Sequence, residues 1–355
     1  MPKVSVIIPS FNHALYIQEA INSVLTQSMP DLELLVIDDG STDDSVKILK
    51  NYTDPRLKMI CQANQGAHAA INRGLELAQG EHLSILNSDD AYHPQRLEKA
   101  LAVLQDKPET SLVGSHIRIV NARNRQIGIK HDYQDSEPWP LESPEHSFRA
   151  DTDLRAALLT ENFWSTTSNY FFSRTCYESV GAFRSLRYTH DWDYALRLAR
   201  LGPMHLLPEA LLNYRVHASN TIRENQAAMI FEICWILAVH LPEHISDAAF
   251  FNQLPAEKRV SQLLHSIYTF EMGRVLNAML LQRLHQRPDL AMQLLQPDDP
   301  TRQVYLEYIL KSLGNTAKNQ QVESEMASPK TGMISHSIRW LKQFVSSLSK
   351  KRHQN

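Results

Sequence analysis

Along the first part of the chain, short apolar runs rich in β-branched residues alternate with stretches in which apolar residues return every three or four positions. Val4-Ser5-Val6-Ile7-Ile8 reads as a strand closed by Pro9, after which Ala14, Ile17, Ala20, Ile21, Val24 and Leu25 fall at helical spacing. Leu34-Leu35-Val36-Ile37 predicts a second strand, and the turn and helix-start cluster Asp38-Asp39-Gly40-Ser41-Thr42-Asp43 leads from it into Val46, Ile48 and Leu49. A third strand over 57–61, a helix over 67–77 and a fourth strand over 82–86 follow, the last running into Asn87-Ser88-Asp89-Asp90 and a helix near Leu97 and Leu101. Each apolar strand needs a cover on both faces, so this alternation predicts an α/β fold: a doubly wound, mostly parallel, Rossmann-like sheet. Ligands of such sheets bind beyond the carboxyl ends of the strands, which directs attention to Pro9-Ser10-Phe11-Asn12, Asp38-Asp39 and Asp89-Asp90.

The pattern loosens from about 110 to 220. Strands are expected over 111–120 and around Tyr170-Phe171-Phe172, a helix near 151–160, and a polar stretch between them over 121–144. Beyond Asn220 only helical periodicity remains, over 227–239, 256–267, 270–284 and 305–313. The expected organisation is therefore a first domain over 1–222, an all-helical C-terminal region over 223–313, a polar linker over 314–332 and a tail over 333–355. In the tail Ile334, Ile338, Leu341, Val345 and Leu348 recur beside Arg339, Lys342, Lys350, Lys351 and Arg352. Such a basic amphipathic segment suits an anionic membrane surface or a partner helix equally.

Composition adds mainly exclusions. With 43% hydrophobic and 21% charged residues and a net charge of −3, the chain offers no general reason to bind nucleic acid. Cys61, Cys176 and Cys234 are odd in number and far apart, as expected of reduced thiols rather than a zinc site or a disulfide frame. The apolar run after Met1 is too short for a signal peptide, and no run approaches the roughly 18 apolar residues of a membrane span. The expected location is the cytoplasm, with the tail as a possible peripheral contact to the inner face of the membrane.

Carboxylates gathered at strand ends repel one another unless a cation or a donor-rich ligand lies between them, and a divalent metal with a diphosphate is the simplest resident. Asp89-Asp90 would supply hard oxygen ligands for Mg²⁺ or Mn²⁺, although an acidic pair there also turns the chain and caps a helix. Asp38-Asp39 has the same two readings; its functional one is a carboxylate that accepts from a base edge, with Phe11 as an apolar face for stacking. In Thr189-His190-Asp191-Trp192-Asp193, Asp191 and Asp193 cannot share one helix face. Asp193 is expected to do no more than favour the helix N-terminus, leaving Asp191 as either an N-cap or a proton acceptor.

Taken in order, Val4 to Asn12, Leu35 to Asp43, Asn64-Gln65-Gly66 with Asn72-Arg73-Gly74, Gly80-Glu81, Leu86 to Asp90, Gly181-Ala182-Phe183 and His190 to Asp193 resemble the family 2 glycosyltransferases over about residues 3–220. The resemblance implies the GT-A fold and an inverting transfer of sugar from a nucleoside-diphosphate donor, expected to be UDP-linked, to a hydroxyl of a glycan or glycolipid in cell-surface polysaccharide synthesis. It assigns Asp191 as general base, Pro9, Phe11, Asp39, Asn72 and Asp89 to the nucleotide sugar, and Asp90 to a Mn²⁺ or Mg²⁺ ion. Tyr214-Arg215-Val216-His217 resembles a further family segment and makes His217 a second candidate metal ligand. Asn87 stands where many members carry aspartate, and Ile71 where many carry an arginine; whether Arg73 replaces that phosphate contact stays open. Trp139 and Trp164 are candidates to stack on an acceptor sugar. A Gly-rich, basic loop after the first strand, the mark of a nucleotidyltransferase, is missing, and a non-catalytic nucleotide-sugar sensor is the alternative to an enzyme.

Overall fold

The computed structural model describes residues 1–131, 158, 162–217, 225–246, 280, 283–284 and 286–311. They fall into two compact units, the first holding the described residues up to 217 and the second those from 225 onward. The boundary expected near 222, the helix near 151–160 except Leu158, Trp139, the helices expected over 256–284 save for isolated residues, the linker and the basic tail lie outside the described residues.

The first unit is built on one nine-stranded sheet in the order β3-β2-β1-β4-β8-β6-β9-β5, with β7 paired to β6. β1 (Val4–Ser10), β2 (Leu32–Asp38), β3 (Leu57–Cys61) and β4 (His82–Ile85) run parallel, as the βα alternation predicts. β8 (Phe171–Ser173) joins β4 antiparallel, and β6 (Leu112–Asn121) joins β8 antiparallel. Two reversals restore the direction of β4, so β6 and its parallel neighbour β9 (Met204–Val216) end at the same sheet edge as β1, β2 and β4. This topology carries the segment after Val216 to the loops that follow β1 and β4.

Side-chain alternation along β1 splits the core in two. Val4, Val6 and Ile8 join Val36 of β2 and Ile17, Ile21 and Val24 of α1 (Ile17–Leu25) in one fully buried cluster. Ile7 faces α3 (Ala67–Leu77), where a Cβ on Gly74 would come within 2.3 Å of the Ile7 side chain. Gly80 is under a harder constraint. Its N–H donates to Ser5 Oγ at 2.8 Å, Ser5 Oγ donates to the Glu33 carboxylate at 2.7 Å, and a Cβ there would stand 2.5 Å from the backbone nitrogen of Ser5. Because β1 itself would have to move, Gly80→Ala is expected to lower stability by about 1–3 kcal/mol, read as a fall in the urea midpoint at constant slope.

Three features of this half were not visible in the periodicity. The two-residue β5 (Ala91–Tyr92), β7 (Gln126–Lys130), which lies inside the stretch read as polar, and the long β9 all pair at the far side of the sheet. The register of β6 against β9 shifts around His116, and such irregularities break the alternation by which a strand announces itself.

In the second unit, α7 (Gln226–Ser246) buries Met229, Ile230, Phe231, Glu232, Trp235 and Ile236, which together span its circumference. Burial all round is the mark of a helix inside a helical unit. The Trp235 indole donates to the carbonyl of Ala291 at 2.8 Å, and Phe231 lies against Tyr305 of the helical run 300–311. No helix among the described residues is long and apolar enough to cross a membrane.

Candidate active site

The loops after β1, β2, β4 and β9 meet at one sheet edge, as the parallel topology requires. Asn12 takes a positive φ of 55°, and its carboxamide oxygen accepts from Thr42 N at 2.8 Å while its own N–H donates to Ser41 Oγ at 3.0 Å. Asp43 accepts from Ala14 N at 2.9 Å, so the first two loops are tied into a single ledge. Phe11 stands on it with 43% of its surface exposed, which places it outside the core and open to a flat ligand. Pro9, by contrast, is buried in register with Ile37.

Asp39 is almost fully buried, with Oδ1 accepting from Gln62 Nε2 at 2.8 Å and Gln65 N at 3.0 Å, and Oδ2 from Gly66 N at 2.8 Å. A carboxylate has about four lone-pair sites; these donors leave room for roughly one more. Asn72 is placed differently from its expected role. Its amide donates to the Phe183 carbonyl at 2.9 Å and accepts from Phe183 N at 2.7 Å, so both polar ends clamp the 181–183 loop to α3. Ile71 is completely buried, and Arg73 lies on the exposed surface 3.5 Å from Glu76.

The structure also separates the roles of the two acidic neighbours. Asp90 turns inward, where Oδ2 accepts from Ser168 Oγ at 2.5 Å and Oδ1 from Arg215 N at 2.9 Å. Burial, together with the adjacent Asp89, pushes its carboxyl well above the usual carboxylate range. Asp89 instead reaches His217, with 2.9 Å between Oδ2 and Nε2. Burial works to raise the Asp89 carboxyl, but the His217 hydrogen bond and the attraction of His13 and His217 outweigh it and hold it below its ordinary value. The two neighbours thus face different partners: Asp90 gives one lone pair of each oxygen to the fold, and Asp89 is the carboxylate that meets His217. One ligand atom each from His13, Asp89 and His217 lies within 4.8 Å of the others, a donor set of the kind that fits a divalent cation.

Asp191 lies in the first turn of α6 (His190–Ala199), 9% exposed, its Oδ1 accepting from Trp192 N at 2.7 Å and its Oδ2 from Asn162 Nδ2 at 3.0 Å. Burial raises its carboxyl above the ordinary range, against the opposing pull of His190 and these donors. Asp193, expected only to favour the helix terminus, is instead completely buried between Arg184 at 2.7 Å and Arg197 at 3.0 Å. Trp164 is also completely buried, packed against Gly114, and is not available to stack on a sugar.

The segment 162–169 connects these parts, and sequence reasoning missed it. Asn162 holds Asp191, Thr166 and Thr167 hold the Asn87 carboxamide at 3.0 Å each, and Ser168 holds Asp90. Asn87 gives its NH₂ to Thr166 and its oxygen to Thr167, which uses an amide's two polarities where a carboxylate has one. A run of Ser, Thr and Asn with no apolar period reads as a loop; only the number of short polar side chains hinted at its role.

Comparison with known proteins follows this geometry. Residues 5–171 match the sequence profile described as Glycosyl transferase family 2. The chain is similar to an uncharacterized glycosyltransferase of Nostoc sp. (32% identity, covering 61% of this chain and 66% of that one) and to chondroitin synthase of Escherichia coli (29% identity, covering 62% and 30%). It therefore spans slightly under two thirds of the first relative and under one third of the second. Among solved structures, a mannosyltransferase from Pyrobaculum calidifontis in complex with GDP-Man and Mn²⁺ superposes with a TM-score of 0.51 at 18% identity, covering 87% of this chain and 85% of its own, a likeness of fold.

Proposed function

We propose that the first unit, with the GT-A fold, transfers a sugar with inversion from a nucleoside-diphosphate donor, UDP-linked, to a hydroxyl of a glycan or glycolipid; the match of residues 5–171 to the Glycosyl transferase family 2 profile supports this reading. The observation that carries this reading is the segment 162–169, which joins a buried carboxylate at Asp191 to the acidic motif at Asn87 and Asp90 within one short stretch of chain. A proton acceptor and a diphosphate-facing acidic motif are the two ends that a single in-line displacement requires. The similarity to chondroitin synthase supports polysaccharide synthesis as the setting.

In this mechanism Phe11 offers a face to the nucleobase and Asp39 accepts from its edge, while Asp89 and His217 would hold a Mn²⁺ or Mg²⁺ ion. Bound there, the cation would neutralise charge on the departing nucleoside diphosphate. Asp191 takes the proton of the attacking hydroxyl, and Asn162 and the Trp192 N–H fix the direction of its lone pairs. Burial keeps water away from the carboxylate and makes it a better base than a free one. No covalent sugar intermediate is required, so no second carboxylate need act as nucleophile.

The direct test is calorimetric titration of the full chain with UDP, GDP and dTDP, each with and without Mn²⁺. UDP is expected to bind only weakly without the metal and much more tightly with it, and Asp89→Asn is expected to remove the metal-dependent part. Absence of binding by all of these nucleotides would overturn the donor site and favour a non-catalytic role for the loops.

A further inference from the structure

We propose that His13 is a third protein ligand of the cation held by Asp89 and His217, and that the resulting set of two imidazoles and one carboxylate selects a transition-metal dication such as Mn²⁺ over Mg²⁺. This rests on the functional reading above. His217 Nε2 and Asp89 Oδ2 stand 2.9 Å apart, and two ligands each about 2.1 Å from an ion at right angles are about 3 Å apart. The offered atom of His13 lies within 4.8 Å of both, so a small closure of the three side chains completes the set.

The ring of His13 is held in place by its surroundings. Its Nδ1 lies 2.7 Å from the hydroxyl of Ser88, which is buried next to Asp89 in the same motif. When Nδ1 donates to Ser88, the lone pair is on Nε2, and a metal-binding histidine is commonly oriented by such a bond from its other nitrogen. His217 meets the ring edge-on at 5.7 Å and Tyr16 at 6.2 Å, and Tyr16 in turn stacks on His217 at 5.2 Å. The backbone is pinned as well: His13 O accepts from the N–H groups of Tyr16 and Ile17 at 2.9 Å each, and Asp43 accepts from Ala14. Mg²⁺ demands oxygen ligands in near-ideal octahedra, whereas imidazole suits the softer first-row dications. Two nitrogens in a set of three therefore bias the site against Mg²⁺.

The test is made on the full chain, stripped of metal with a chelator and loaded with Mn²⁺ and UDP. Pulsed electron paramagnetic resonance counts the nitrogen nuclei bound directly to manganese, and competition with Mg²⁺ measures selectivity. Two bound nitrogens are expected in the wild type and one each in His13→Ala and His217→Ala. His13→Ala is expected to lose at least about 10-fold in Mn²⁺ affinity with Mg²⁺ affinity nearly unchanged, and Ser88→Ala, which keeps the ring but frees it, to lose less. Thermal unfolding identifies any variant that fails to fold, in which case His13→Gln replaces it. A wild-type spectrum with a single bound nitrogen, or a His13 variant with unaltered Mn²⁺ affinity and selectivity, overturns the assignment while leaving the functional reading intact. Failure of the wild type to bind Mn²⁺ even with UDP, or binding unaffected by Asp89→Asn, overturns both.

Discussion

Replacing Asp191 by asparagine should leave Mn²⁺-dependent nucleotide binding unchanged and lower kcat by about 10²–10⁴-fold, the range that general base catalysis supplies. Asparagine keeps the shape of the side chain and its oxygen can still accept from the Trp192 N–H, giving up only the bond from Asn162, so the loss would be chiefly of proton acceptance. The acid limb of kcat/KM in the wild type is expected above the usual carboxylate range, because burial raises the Asp191 carboxyl. Its stability consequence has the opposite sign. A carboxyl whose folded pKa exceeds its unfolded value binds more protons in the folded state, so stability falls as pH rises from the ordinary carboxylate value through the raised one. Above that window Asp191→Asn should therefore unfold at the same temperature as the wild type or higher, while transfer is lost. A variant with wild-type turnover would sink the base assignment, and one with lost nucleotide binding would show that Asp191 serves the donor instead.

The sequence made the parallel half of the sheet legible because each of β1, β2 and β4 is a short, mainly apolar run that stops at a polar loop. It also located Asp39, Asp89 and Asp191 at those loops and at a helix start. The division of labour among neighbours was not legible. Asp89 and Asp90 have the same chemistry and adjacent positions, and only the partners that arrive from Ser168, Arg215 and His217 turn one toward the histidine and the other into the fold. Asp191 and Asp193 present the same case, since Arg184 and Arg197 come from separate positions to neutralise the second. Asn72 reads as a polar residue near the donor until Phe183, far along the chain, occupies both ends of its amide. Each of these decisions depends on contacts distant in sequence, which neither periodicity nor spacing encodes.

The largest loss outside the chemistry is expected at Arg215. Its guanidinium is 1% exposed and donates to the carbonyl of Asp89 at 2.8 Å, the carbonyl of Asn121 at 3.3 Å and the Glu19 carboxylate at 2.8 Å, while it packs 4.8 Å from the centre of the Tyr16 ring. It thus ties three segments, α1, the acidic motif and the end of β6, to the end of β9, two residues before His217. Arg215→Met fills most of the volume but strands carbonyls that the guanidinium had paired, at about 1–3 kcal/mol each. The partial exposure of Glu19 lets water take over its share, so the total is expected near 3 kcal/mol rather than the upper end for a buried ion pair. Arg215→Lys keeps the charge but cannot reach several acceptors with one ammonium, and should recover only part of the loss. Urea unfolding measures these differences. Mn²⁺ titration at a denaturant-free, fully folded temperature separates them from positioning: if Arg215 holds Asp89 and Tyr16 against His217, both variants bind the ion about 10–100-fold more weakly, whereas a destabilised variant with wild-type Mn²⁺ affinity would mean that the arginine holds the fold together and leaves the site to arrange itself.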